Sequence, residues 1–250
     1  MARRPRQMLV GQLYHVLLRG NNGQKVFLDD EDRQACWQVL RDAARMNKAT
    51  LHAWLFLNDS VRLLLTPQQT DSVARMMQVL GRQYVRLFNR RHRRSGTLWE
   101  GRFRSSLIES PGFGLVCQQY LECLPVIRGW VSHADEFYWS SARHHVGLSH
   151  DPGILPQPAY WALGNTPFER ERAWRDALAI PELQRALDRA QGHLLHSDLA
   201  RALDSGHPVA SAPWLRRLEL IHGQVLQYQA VGRPARKRGQ AGHLAGMGHK

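Results

Sequence analysis

Residues 51–67 read LHAWLFLNDSVRLLLTP, two apolar runs on either side of the polar Asn58-Asp59-Ser60. Apolar runs of strand length broken by a tight polar turn predict a β-hairpin, with strands near 50–57 and 60–66. Side chains alternate across a strand, so Ser60 and Arg62 share one face of the second strand. In a regular strand Asp59 points to the other face.

The flanking segments supply the partners of a mixed fold. Residues 12–19, with Leu13, His15 and Leu17 alternating with Tyr14, Val16 and Leu18, read as a strand buried on both faces. Gly20-Asn21-Asn22-Gly23 is a turn. Asp29 or Asp30 caps a helix whose core face includes Ala35, Val39, Leu40 and Ala43. Asp71 opens a long helix in which Val73, Met76, Met77, Leu80, Tyr84, Leu87 and Phe88 keep helical spacing, and Gly96 ends it. Residues 98–108 read as a strand, and 113–124 as a further helix carrying Tyr120. This order predicts an α+β fold, a ferredoxin-like split βαβ palm with an antiparallel sheet, over residues 1–147.

Residues 148–230 read as a linker and helical region: a Pro-rich linker at 151–158, a charged helix at 167–187, and two short helices at 197–203 and 212–221. These last two lie across a Gly206/Pro208 turn, loosely like a helix-turn-helix. Residues 231–250 are rich in Gly, Lys and Arg with little to bury, the composition of a basic tail that is disordered when free.

Charge narrows the partner. Lys and Arg number 34 against 21 Asp and Glu, a net charge of +13, which makes a polyanion the expected partner. The cations cluster. Arg82, Arg86, Arg90, Arg91, Arg93, Arg94, Arg102 and Arg104 crowd one stretch, with Tyr84, Phe88, Trp99 and Phe103 interleaved. Cations for a phosphate backbone beside rings for unpaired bases are the chemistry of single-strand binding, although Tyr84 and Phe88 read more simply as core. The arm Arg3-Arg4-Pro5-Arg6 and the tail residues Arg233 and Arg236 can enter a minor groove. The tail segment 232–239, GRPARKRG, partly resembles an AT-hook, with Val231 where that motif begins with arginine. The three cysteines form no Cys-x-x-Cys pair and suggest neither a disulfide framework nor a zinc site. No apolar run has transmembrane length and the first residues lack a signal-peptide core, so a cytoplasmic protein is expected.

Several stretches together carry a family resemblance: residues 13–20, Phe27-Leu28-Asp29, Phe88-Asn89-Arg90-Arg91-His92, 98–103 (LWEGRF), 120–129 (YLECLPVIRG) and Trp139-Ser140-Ser141. They resemble the REP-associated tyrosine transposases, single-tyrosine HUH transposases, over about residues 2–147. The resemblance implies a palm with its active site on the sheet face. Tyr120 matches the nucleophile, whose hydroxyl attacks a DNA phosphodiester and stays joined to the 5′-phosphate. A divalent cation such as Mg²⁺ polarises that phosphate in the family, held by a His-hydrophobic-His pair and an asparagine four residues after the tyrosine. Here those positions are Ser60, Arg62 and Leu124. Serine is a poor ligand, a guanidinium repels a divalent ion, and leucine offers no donor, so no metal or other cofactor is expected. Arg62 either holds a DNA phosphate, reaches solvent or pairs with Glu100. Adjacent His144 and His145 diverge and are not read as a metal site.

The resemblance and the charge together lead to a DNA-binding protein of this family, nucleoid-associated, that takes hairpin or single-stranded DNA with metal-dependent cleavage lost. A working transposase acting through Tyr120 and an RNA-binding protein are the alternatives. A homodimer is implied by resemblance alone.

Overall fold

The structure, a computed structural model, describes residues 8–179, residue 183 and residues 196–226. Strands β1 (Leu13–Arg19), β2 (Ala49–Leu57), β3 (Ser60–Pro67) and β4 (Arg104–Ile108) form one sheet in the order β2-β3-β1-β4. Every neighbouring pair is antiparallel. Helix α1 (Asp30–Met46) joins β1 to β2, and α2 (Ser72–Arg91) joins β3 to β4. This is the expected split βαβ arrangement, and the molecule is α+β. Helix α3 (Ser110–Ile127) follows, then the short α4 (Ala142–His145) and α5 (Pro158–Trp161), α6 (Pro167–Ala177), α7 (His196–Ser205) and α8 (Ala212–His222).

Alternation along the strands sorts their side chains into two cores. Tyr14, Val16, Leu18, Trp54, Phe56, Val61, Leu63 and Leu65 pack against Cys36, Leu40 and Ala43 of α1 and Val73, Met76, Leu80, Tyr84 and Phe88 of α2. On the opposite face Leu13, Ala53, Leu55, Leu57, Leu64 and Ile108 lie under Phe113, Cys117, Tyr120, Leu121 and Leu124 of α3. Tyr160, Trp174, Leu199, Leu203 and Val209 complete that second core from the far end of the sequence. A sheet that is apolar on both faces needs both faces covered, and the C-terminal helices supply the second cover.

The sheet edges are covered too. Phe56 N–H donates to Trp139 O (2.9 Å), Ser141 N–H to Trp54 O (2.9 Å) and Leu155 N–H to Leu51 O (2.9 Å) along β2. Val209 N–H donates to Leu107 O (2.8 Å) and Glu109 N–H to Val209 O (3.0 Å) beside β4. The stretch 151–158, expected as a linker, thus contributes an extended segment along the β2 edge, which blunts it against pairing with other chains.

Local details differ from expectation for identifiable reasons. The buried stripe of α1 runs through Asp32, Cys36, Leu40 and Ala43, while Ala35 and Val39 are half-buried. The helix is rotated because the Asp32 carboxylate turns inward, accepting from Leu28 N–H at 2.8 Å and meeting His92 Nε2 at 2.8 Å. Helix α2 stops at Arg91 with His92 as its C-cap, short of Gly96. Arg93 takes the left-handed turn at φ 48°, and Gly96 serves the loop beyond at φ 90°. Residues 98–108 are strand only from Arg104, because Leu98 and Trp99 bury into the α2 core and leave a single bridge to Gly20. Helices α7 and α8 fall where two short helices were expected, but α7 buries Leu199 and Leu203 against the sheet rather than standing apart. The basic arm at 3–6, the end of the charged 167–187 reading and the tail with Arg233 and Arg236 lie outside the described residues. Among the described residues no helix is long and apolar enough to cross a membrane.

Candidate functional site

Strand register builds the site. Arg62 of β3 stands opposite Leu17, Ser60 opposite Arg19, and Leu17 in turn opposite Arg104 of β4. Paired residues share a face, so Arg19, Ser60, Arg62 and Arg104 gather at one end of the face that α3 covers. His15 and Ser106 are paired one step along. Tyr120 and Leu124, four apart on α3, present the same helical stripe to this face and are 4% and 5% exposed. The three positions matched to metal ligands and the tyrosine therefore do converge.

What fills the convergence is an ion pair. Arg62, 2% exposed, donates from Nη2 to Asp204 Oδ1 at 2.7 Å. Arg19 Nη2 donates to Asp204 Oδ2 at 2.6 Å, and Arg104 Nη1 to the Asp204 carbonyl at 2.8 Å. Asp204 comes from the last turn of α7. Two of the readings left open for Arg62, pairing with Glu100 and reaching solvent, are corrected: Glu100 lies 3.7 Å from Arg104, and Arg62 is buried against Asp204. Asp59 also departs from expectation. The turn brings it back toward Ser60, whose Oγ donates to Asp59 Oδ1 at 2.9 Å.

The electrostatics follow from burial around this cluster. Burial opposes charge on Asp204, but the Arg62 guanidinium, its hydrogen bond and Arg19 outweigh that and hold the carboxyl below the usual carboxylate range. Burial, with Arg62 beside it, pushes the His15 imidazole down to about 3. Burial raises the Tyr120 phenol, only partly offset by Arg62. These residues do not fit a divalent cation: serine, arginine and leucine stand at the positions that the resemblance matches to ligands. Among the described residues no group of three or more His, Cys, Asp or Glu is placed to hold one.

A second polar cluster anchors α3 behind the tyrosine. Glu122, wholly buried, accepts from Ser141 Oγ at 2.6 Å and Trp174 Nε1 at 2.8 Å, and meets His145 Nδ1 at 2.7 Å. Burial alone would raise this carboxyl, but His145 and the three hydrogen bonds overcome it and lower it. Ser141 Oγ also accepts from Trp54 N–H at 3.0 Å. Trp139-Ser140-Ser141 thus acts as a staple between β2 and α3.

The arginine-rich stretch divides. Arg82, Arg86 and Arg90, four apart on α2, are exposed on its outer face, as is Arg93, and none of the four has a side-chain partner among the described residues. Arg102 is also exposed. Arg91 is tied to Asp29 (2.7 Å), Glu31 (2.5 Å) and Asp32 (2.7 Å), and Arg94 stacks on Phe88 and donates to Thr97 O. Arg104 belongs to the Asp204 cluster. Tyr84, Phe88, Trp99 and Phe103 are all buried, so they offer no stacking platform. Since α2 covers the other side of the sheet, the exposed arginines and Arg62 lie on opposite faces of the molecule. Asp204, Arg19 and Glu122 carried no signal in the sequence, being linked to their partners only through the fold.

The family model for IS200-like transposases matches residues 9–122. No curated protein matches the sequence. Among solved structures the chain is similar to a REP-associated tyrosine transposase bound to a REP hairpin, with 16% identity and a TM-score of 0.51, covering 63% of this chain and 92% of that one. It is also similar to a candidate transposase from Deinococcus radiodurans R1, with 23% identity and a TM-score of 0.33, covering 48% of this chain and 95% of that one.

Proposed function

We propose, from the match of residues 9–122 to the IS200-like transposase family, that this chain is a DNA-binding protein of the REP-associated branch that holds hairpin or single-stranded DNA without cutting it. The observation that carries this reading is Arg62, bound to Asp204 at 2.7 Å where the family places a metal ligand. Phosphotyrosine chemistry needs a cation to take up charge on the scissile phosphate, and a guanidinium already committed to a carboxylate repels one. Burial compounds this, because a Tyr120 phenol raised by desolvation gives up its proton less readily.

Binding needs none of that machinery. The exposed Arg82, Arg86, Arg90 and Arg93 offer fixed charge to a phosphate backbone, with Arg102 nearby on the same covering layer. The similar solved structure bound to a REP hairpin supports DNA as the partner. The test is incubation with labelled hairpin-flanked single-stranded DNA and Mg²⁺ or Mn²⁺, scoring retention and covalent adducts, with a matched RNA hairpin as competitor. Retention of DNA without an adduct is expected. An adduct formed by the unmodified chain and abolished by Tyr120→Phe overturns the reading in favour of an active transposase, and preference for RNA overturns the choice of nucleic acid.

A further inference from the structure

We propose that Arg19, Arg62 and Arg104 form a phosphate-binding site on the sheet face under α3, and that Asp204 of α7 occupies it from within the chain. Three guanidiniums converge on this single residue: two meet its carboxylate, at 2.6 and 2.7 Å, and the third its carbonyl, at 2.8 Å. A carboxylate and a phosphodiester carry the same charge and accept from the same guanidinium donors, so Asp204 stands as an internal mimic of a backbone phosphate.

The donors outnumber what Asp204 accepts. Arg62 Nε and Nη1 are buried and have no hydrogen-bond partner among the described residues, and the same holds for both ring nitrogens of His15 one pair along the sheet. The site also has an open side, since the Arg19 and Asp204 side chains are 33% and 34% exposed while Arg62 at the base is 2% exposed. A clasp whose only purpose was to fix α7 would not require three cations, because Leu199 and Leu203 already bury that helix against the sheet. The consequence is competition: an entering phosphate displaces the carboxylate, and α7 loosens as it does.

That the natural ligand is a DNA phosphate rests on the function proposed above; the anion site itself does not. The experiment uses the full chain and two probes, inorganic phosphate and a single-stranded oligonucleotide. Asp204→Asn should raise affinity for inorganic phosphate on the order of tenfold, and Arg62→Gln added to it should remove the gain. In the unmodified chain, hydrogen exchange of the α7 amides should speed up as phosphate saturates the site, a readout that needs no variant to fold. A folded Asp204→Asn chain with unchanged or weaker phosphate affinity overturns the proposal, as does α7 protection that ignores saturating phosphate. The two readings fail separately. Oligonucleotide binding by the unmodified chain with no gain in Asp204→Asn sinks the site alone, whereas a phosphate gain with no oligonucleotide binding anywhere sinks the DNA reading alone.

Discussion

Glu122 and Arg62 are both charged and buried, and each is stabilised by what surrounds it. Glu122 has three donors on its two oxygens, so Glu122→Ala strands Ser141, Trp174 and His145 together. A loss of about 3–5 kcal/mol is expected in denaturant unfolding, as when one partner of a buried pair is removed. Glu122→Gln keeps an acceptor and should lose less. Buried His15 and half-buried His144 set the response to acid. His15 is held down to about 3 and His144 to about 4, both chiefly by burial, so the unfolded chain takes up protons below about pH 6.5 that the folded chain refuses. Stability should therefore fall as pH drops from about 6.5 toward 4, by up to about 1.4 kcal/mol per pH unit for the buried His15 and by less for the half-buried His144, which solvent screens. His15→Leu should flatten part of that slope, and unfolding curves at several pH values decide it. A slope unchanged by the substitution would show that His15 reaches water.

At the scale of the element, α2 does two jobs with its two faces. Its inward stripe from Val73 to Phe88 builds a core, and the outward Arg82, Arg86 and Arg90 make no side-chain hydrogen bond or ion pair among the described residues. Replacing these three by Ala should leave the melting temperature nearly unchanged. It should weaken single-stranded DNA binding and reduce its salt slope by about 2, since each lost phosphate contact removes about 0.7. Arg91→Ala is the control with the opposite signature. It breaks the contacts to Asp29, Glu31 and the buried Asp32, so stability should drop while the salt slope hardly moves. Equal effects from both variants would show that the outer stripe is structural.

For the whole molecule, the C-terminal helices belong to the folding unit. Leu199, Leu203 and Val209 sit in the same core as β1, β2 and α3, and a chain ending at residue 195 exposes that face. Such a truncation should cost several kcal/mol of burial and lose cooperative unfolding. Removing only residues 231–250 takes away Arg233, Arg236 and neighbouring cations with little apolar mass. It should weaken DNA binding while the melting temperature holds. A large fall in melting temperature for this shorter deletion would place part of the tail against the core.

The palm was legible in the sequence because its signals are local. Strand alternation, a tight turn between two apolar runs, and helical spacing from Val73 to Phe88 each depend on neighbours within a few positions. The positions Ser60, Arg62, Tyr120 and Leu124 were singled out through family resemblance, and strand parity correctly put Ser60 and Arg62 on one face. The partner of Arg62 was not, since Asp204 is 142 residues away and reaches it only when α7 docks. The buried face of a helix shifted for the same reason at α1, where a buried Asp32 held by His92 turned the helix against its apolar periodicity. Local pattern determines which element a segment forms. Which charge ends up buried against which other charge is decided by packing, because burial is a property of the assembled core and a single carboxylate gains its partners only there.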